Sequence, residues 1–389
     1  MSSAMTGEER FLSALKLEEP DTVPTFTKGM SPQAILRVAR ELMSGVPDIK
    51  VDLMSPLRED ENEVFMDLFM RIHEELDIDG YSNRDVGLLY WGAGLNGERG
   101  EIVDDLHVRD SWGIVYQRSP HGIPVPVHHP VRTFADLNRL SAAPTGGATD
   151  LVRAGAEQFK GRKALVGDVL GPYTVAWFLR GSTELLLDLI DAPDFAHGAM
   201  RFATDAAKEK LRGAVEVGMR VVTVNDDVAH AHGPIMSPRQ YREFIAPCHR
   251  EIVEFGQSLG LKMVLHADGN LWALLDDIVG CGFEGLHPLQ PDADMDLARV
   301  KESVGNRLCL IGNLSVTDLL PSGSPRDVEA AVIGAVRDAS RGGGYILSDS
   351  NVITPAVNAT NFITMMLAAK QHGGYGDRKA SIPRRSPSA

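Results

Sequence analysis

VVTVNDD (221–227) and MVLHADG (263–269) are short apolar runs that stop on polar residues, the first at Asn225, Asp226 and Asp227 and the second at His266 and Asp268. LCLIGN (308–313) stops on Asn313, and YILSDSN (345–351) on Asp349 and Asn351. A parallel barrel produces this pattern, because its strands are buried along their length and only their C-terminal ends reach a substrate. Outward from these four, ALVGDV (164–169) and FEGLHPL (283–289) read as strands of the same kind, and two N-terminal strands lie at 22–26 and in EELDIDGYS (74–82), ending near Gly80 and Asn83. The total is eight, which predicts an α/β fold, a closed (β/α)8 TIM barrel. A doubly wound open sheet would carry a Gly-rich phosphate loop after its first strand, and the sequence has none.

The segments between the strands fit that frame. SPRQYREFIAPCHREIVEFGQSLG (237–260) and SPRDVEAAVIGAVRDAS (324–340) read as helices, and Ser237-Pro238 and Ser324-Pro325 place a capping hydroxyl and then a proline in the first turn. A further helix is expected at 32–43. GEERFLSALKLEEP (7–20) predicts an N-terminal helical extension, with Phe11, Leu12, Leu15 and Leu17 near one face, that closes one end of the barrel. EIVDDLHVRDSWGIVYQRSP (101–120) alternates around turn residues, which predicts an antiparallel insertion over 88–126 on the catalytic face. HHPVRTFADLNRLSAAPTGGATD (128–150) reads as a connector within one domain of residues 1–375, and the polar, basic 376–389 as a disordered tail.

A chain of 389 residues that is 43% hydrophobic can bury a large core. Three cysteines, Cys248, Cys281 and Cys309, without CxxC spacing argue against a disulfide framework or a Cys-rich zinc module and fit a reducing cytoplasm. The N-terminus lacks a basic region followed by an apolar stretch, and no apolar run is long enough to span a bilayer, so no membrane partner is expected. A net charge of -14 repels phosphate backbones, which disfavours nucleic acid, although solubility explains the charge equally well.

ERFLSALKLEEPDTVP (9–24), GPYTVAWFLRGSTELLLDLIDAP (171–193), DDVAHAHGPIMSPRQYREFIAP (226–247), HADGNLWALLDDIVGCGFEGLHPLQP (266–291) and GGGYILSDSN (342–351) together resemble the uroporphyrinogen decarboxylase superfamily. That superfamily contains porphyrinogen decarboxylases and corrinoid-linked methyltransferases. The decarboxylases carry an Arg-Gln-Ala-Gly-Arg run after the first strand, whose guanidinium groups pair with substrate carboxylates. Here that place reads FTKGMSPQ (26–33), with Lys28 as its only cation, and Arg10 and Arg84 are the other arginines weighed for the role. The thiol-methylating branch carries a zinc pattern of His-x-Cys and a distant Cys. This chain has His266-Ala267-Asp268 and Ser348-Asp349-Ser350-Asn351 in those places, so both thiolates are missing.

The resemblance therefore implies an enzyme that moves a methyl group from a small methylated donor, such as an aryl methyl ether, to a corrinoid (cobalamin) carried by a separate protein. The chain lacks the Asp-x-His-x-x-Gly motif expected of a protein that binds the corrinoid itself. His266, Asp268, Asp226 and Asp227 are the candidate catalytic residues, because the leaving atom needs an acid or a Lewis acid. For the Asp pair, a capped loop after the strand is the alternative. His266 and Asp268, helped by an acid from Asp226, Asp227 or Asp349, could also hold a divalent metal such as Zn through N and O ligands. Lys28, Asp168, Tyr173, Asn225, His287, Asn313, Asp349 and Asn351 are candidate substrate contacts; Asn225 and Asn313 could equally satisfy backbone groups in their own loops. Tyr81, Tyr90, Trp91 and Trp112 could stack on an aromatic donor or belong to the core. His230 and His232 suggest a metal or a loop over the pocket, and Gly171 a close ligand approach or a turn. Decarboxylation of a cyclic carboxylic acid and a non-catalytic ligand-binding barrel are the competing readings, and pairing of two copies is left open.

Overall fold

The computed structural model describes residues 4–51, 59–82, 93–94, 98–118, 124–142 and 150–375. Asn83, Arg84, Tyr90, Trp91 and the 376–389 segment lie outside the described residues. Eight parallel strands form a nearly closed barrel: β1 (Thr25–Phe26), β2 (Gly80–Ser82), β3 (Ala164–Leu170), β4 (Val221–Asn225), β5 (Lys262–His266), β6 (Gly285–His287), β7 (Cys309–Leu314) and β8 (Tyr345–Asp349). Their hydrogen-bonded order is β1-β8-β7-β6-β5-β4-β3-β2, so β1 and β2 meet at a seam. Asp79, fully buried just before β2, fastens that seam: its Oδ2 accepts from the Thr25 N–H (2.9 Å) and the Thr25 hydroxyl (3.0 Å). Arg10 (3.1 Å) and Lys370 (3.1 Å) neutralise the same carboxylate. Arg10 is thereby committed to the N-terminal end of the barrel, away from any substrate.

The helix Gly7–Leu15 plugs that end, as its apolar face predicts. Phe11, Ala14 and Leu15 pack on Phe26, Ala164, Val166, Val221, Val264, Cys309, Ile311 and Ile346, the inward side chains of the barrel floor. A Cβ at Gly80 would lie 2.6 Å from the Phe11 ring and 2.8 Å from the Phe26 ring, so β2 must begin with glycine to let the plug seat. The helix stops at Leu15, earlier than the expected face requires. Leu17 sits beyond it at φ 63° and only flanks the floor cluster.

Side chains alternate across a strand, so the floor residues fix which later positions point inward. Continuing from them by twos places Lys28, Asp168, Asn225, His266, His287, Asn313 and Ser348 on the inner face near the C-terminal ends. Tyr81 and Asp349 fall on the opposite parity. Tyr81 lies in an outer ring cluster, with centroids 5.7 Å from Phe69 and 4.6 Å from Phe159, so it is core and not a stacking platform for a substrate. Asp349 shares the side of Tyr345 and Leu347, which pack beneath the outer helices.

Both proline-capped helices form with the expected N-terminal hydroxyl, Ser237 accepting from Gln240 N–H and Ser324 from Asp327 N–H. The first is not uniform: a π-helical turn, Tyr241–Ile245, precedes Ala246–Ser258. Pro247 has no N–H to give to the preceding turn, and the widened turn absorbs the missing bond.

The insertion is antiparallel, with strands Glu101–Ile102, His107–Arg109, Val115–Gln117 and Val125–His128 beside a hairpin of Ala93–Gly94 and Glu98–Arg99. Its described apolar face does not line the barrel mouth. Trp112, Ile114 and Tyr116 pack on Val175, Leu179 and Phe195 of the helices Pro172–Arg180 and Pro193–Glu216, and the Trp112 Nε1–H donates to Ser141 O (2.9 Å). Trp112 is therefore a core residue of the insertion. Among the described residues, no helix is long and apolar enough to cross a membrane.

Candidate active site

Eight of the nominated polar residues lie at the C-terminal mouth, in two hydrogen-bonded groups and a histidine pair. On the β1, β3 and β4 side, Lys28 Nζ donates to Asn225 Oδ1, and Asn225 Nδ2 donates to Asp168 Oδ1 (2.7 Å). Asn225 thus joins a cation to a carboxylate across three strands, where the sequence left open a purely local role. On the β4, β5 and β8 side, Asp227 Oδ1 accepts the Asp268 N–H (3.1 Å) and Asn351 Nδ2 donates to Asp268 Oδ2 (2.7 Å). Asp268 Oδ1 is buried and has no hydrogen-bond partner among the described residues. It stands 3.9 Å from His266 Nε2. Single donor atoms of Asp227, His266 and Asp268 all lie within 4.8 Å of one another.

Electrostatics at this cluster favour a bound proton or cation. Burial and the neighbouring Asp227 charge push the Asp268 carboxyl up to about 7, against the pull of Lys28 and Asn351. Asp227 faces the solvent of the mouth, yet its carboxyl is also raised, chiefly by desolvation among the loops that crowd it, with a contribution from Asp226. Two carboxylates held this close cannot both carry full charge at neutral pH unless something positive joins them. Beside them His266 stacks on His287, with centroids 4.9 Å apart and planes at 29°, and their Nδ1 atoms are 2.6 Å apart.

Asp226 departs from its expected catalytic place. It is fully buried, turned back under the loop by its hydrogen-bond partners. Its oxygens accept from the Thr174 N–H (2.7 Å) and Tyr173 N–H (3.3 Å) at the start of the helix Pro172–Arg180 and pair with His249 Nε2 (2.8 Å). Burial alone would depress the His249 pKa, but its contacts with Asp226 and Cys281 raise it to about 9. The Asp pair therefore divides: Asp226 is the helix cap and Asp227 the mouth residue. Gly171 permits the close approach of Asp226 and not of a ligand, since a Cβ there would lie 2.3 Å from the Asp226 Cβ.

Other nominees are spent locally. Tyr173 is buried in the core, and burial pushes its hydroxyl up to about 12. Asn313 donates to Leu289 O (3.1 Å) and Met295 O (3.4 Å), satisfying loop carbonyls. His230 and His232 sit on a small exposed hairpin, with the His232 N–H donating to His230 Nδ1 (3.1 Å), outside the metal-capable cluster found among the described residues. Cys248, Cys281 and Cys309 are free and buried. The residues that sequence reading missed are His249 and Tyr241, whose hydroxyl contacts His249 Nδ1 (3.0 Å). A signal existed: His249 falls on the apolar face of its helix with Ile252, Val253 and Gly256, and a histidine there demands a polar partner.

Asp349 is fully buried, and neither carboxyl oxygen has a hydrogen-bond partner among the described residues. Burial pushes its pKa from 3.8 up to about 7, with Thr27 and Lys28 opposing. A raised carboxyl contributes stability that is full below the unfolded pKa and is lost as pH climbs through the folded one. Asp349→Asn is thus expected to gain on the parent by on the order of 2 kcal/mol between pH 5 and pH 8. Denaturant unfolding of both proteins at the two pH values checks this, and a pH-independent difference would show that Asp349 is not the titrating group.

The uroporphyrinogen decarboxylase (URO-D) family model matches residues 106–372. Methylcobamide:CoM methyltransferase MtaA of Methanosarcina barkeri is 28% identical over 208 residues, 54% of this chain and 58% of that protein, so less than two thirds of that relative is spanned. Uroporphyrinogen decarboxylase of Coxiella burnetii is 24% identical over 284 residues, 69% of this chain and 75% of that protein. The structure of a methyltransferase from Methanosarcina mazei superposes with a TM-score of 0.69 at 22% identity, covering 94% of this chain and 99% of the other, which shows the shared barrel. Matched over more than half its length by that model, with an acid-rich mouth at the ends of its barrel strands, the chain belongs to the uroporphyrinogen decarboxylase family.

Proposed function

We propose that the protein is a corrinoid-dependent methyltransferase that takes a methyl group from a small donor, a methoxylated aromatic first among them, and gives it to a corrinoid on a separate protein. The observation that carries this reading is the Asp227, His266 and Asp268 cluster at the mouth. In the reaction the bond between the methyl carbon and the leaving oxygen breaks, its electron pair stays on oxygen, and reduced cobalt of the partner supplies the new pair to carbon. An aryloxide is a poor leaving group until its charge is neutralised, so the site must present a proton or a Lewis acid at that oxygen.

The cluster meets this demand in either charge state. A carboxyl raised to about 7, as at Asp268, retains a proton to give at neutral pH. A divalent cation held by Asp227, His266 and Asp268 would instead polarise the leaving atom as a Lewis acid, and the unpartnered Asp268 Oδ1 fits such an ion. Lys28, Asn225 and Asp168 form the adjoining wall and supply donors and acceptors to orient the donor molecule.

The decarboxylase reading keeps one favouring observation, the 75% coverage of the Coxiella burnetii enzyme. Among the described strand-end residues Lys28 is the only Lys or Arg, a thin match for a polycarboxylate. The two readings part in a two-armed screen. Methylated aromatics, amines and sulfides with reduced cobalamin are assayed for demethylated product, and cyclic carboxylic acids for CO2. Demethylation alone is the expected result; CO2 release alone would transfer the assignment to the decarboxylase.

A further inference from the structure

We infer that His249 is a positioning residue. It clasps the two ends of the rim loop that leads from β4 to the helix beyond Ser237, and so holds Asp227 and the hairpin of Ala229–His230 and Gly233–Pro234 in place at the mouth. The inference concerns the rim whatever reaction the mouth carries, and its test uses neither methyl donor nor corrinoid.

Both ends of the loop meet on one imidazole. Asp226, where the loop begins, accepts the His249 Nε2–H (2.8 Å), and the hydroxyl of Tyr241, where it ends, lies 3.0 Å from His249 Nδ1. All three side chains are fully buried. The meeting depends on the π-helical turn Tyr241–Ile245. A regular α-helix advances about 100° per residue, so residues eight apart, as Tyr241 and His249 are, would stand about 80° out of line. A π turn spends one extra residue on a turn, which brings the two within about 20° of one face.

Between its ends the loop is built to lie on the site. Val228, Ala229 and Met236 are buried in the main core and give it a footing. The Val228 N–H donates back to Asp226 O (2.9 Å) and the Ile235 N–H to Val228 O (2.9 Å), so the hairpin springs directly from the clasped residue. Its far side rests on the loop after β5, where the Asn270 N–H donates to His230 O (2.9 Å). Gly269 lets the two loops touch: it sits at φ 90°, and a Cβ there would stand 2.7 Å from His230 O. Beside it the Asp268 N–H reaches Asp227 Oδ1 (3.1 Å). A swing of the loop about its ends would break this contact and move Asp227 relative to His266 and Asp268. A loop tied at both ends has fewer conformations to visit, and a tie made of buried polar groups is strong because solvent does not compete for them.

Hydrogen–deuterium exchange of the full-length protein, read by mass spectrometry under native conditions, tests the clasp. Tyr241→Phe keeps the ring in the core and removes only the hydroxyl. It should speed exchange in peptides covering 227–236 and Asp268 by about 3–10-fold, the worth of one buried hydrogen bond, while β7 and β8 exchange as in the parent. His249→Gln keeps a donor for Asp226 and loses the reach to Tyr241, so it should match Tyr241→Phe, and combining the two should add nothing further. His249→Asn, which keeps the Tyr241 contact and loses Asp226, should open the loop at least as much. Parental exchange at 227–236 and Asp268 in the single variants would overturn the clasp. Loosening confined to the helix Ala246–Ser258, or a rise shared equally by every strand, would overturn it as well, since either marks His249 as a support of the fold alone.

Discussion

Asp226→Ala is expected to lower the unfolding free energy by about 3–5 kcal/mol, while its neighbour Asp227→Ala changes it by about 0.5 kcal/mol or less. The first substitution strands His249 in a fully buried site without its counter-charge and removes the acceptor for the Tyr173 and Thr174 N–H groups. The second removes a solvent-facing side chain from the mouth. His249 has a raised pKa of about 9, so the stabilisation it draws from the pair is full below about 6.5 and is lost as pH rises through 9. The penalty of Asp226→Ala should therefore be largest near pH 6 and shrink above pH 9. Denaturant unfolding of the two variants measures it, and equal stability of both would mean that Asp226 is not the structural member of the pair.

Asp268→Ala is expected to cost methyl transfer from an aryl ether about 10²–10⁴-fold in kcat, because the group that neutralises the leaving oxygen is gone. KM should move far less, since the adjoining group of Lys28, Asn225 and Asp168 is untouched. The size of the loss should follow the leaving group. A methyl sulfonium donor departs as a neutral sulfide and needs no proton, so the same substitution should slow that reaction little. A uniform loss across ethers and sulfonium donors would point to damaged binding and not to missing acid or cation chemistry.

Much of this architecture is legible in the sequence because a parallel barrel repeats one physical constraint. Buried strands must be apolar until their last inward residues, and that rule alone picks out Asn225, His266 and Asn313. It does not say which way a residue beyond the strand turns. Asp226 and Asp227 look equivalent as letters, and only the helix N-terminus at Pro172 and the charge of His249, both distant in sequence, pull one inward and leave the other outside. Asp349 was misplaced for a related reason. Reading the apolar run without its parity puts it in the mouth, whereas the alternation set by Ile346 in the floor turns it outward. Asn313 satisfies carbonyls of the loop after β6, a demand that no local pattern announces. The insertion was recognised by its alternation, but its destination depends on the apolar faces of helices more than fifty residues onward, at Val175 and Phe195.

The most direct test of methyl transfer is the absorbance of cobalt. The purified protein, reduced cobalamin and a panel of methoxylated aromatics, methylamines and methyl sulfides are mixed without oxygen, and the spectrum is followed. One class of donor is expected to convert reduced cobalamin to methylcobalamin, and His266→Ala, still folded, is expected not to support that conversion. No conversion with any donor, even with corrinoid proteins from the same source added, together with CO2 release from a cyclic acid, would contradict it.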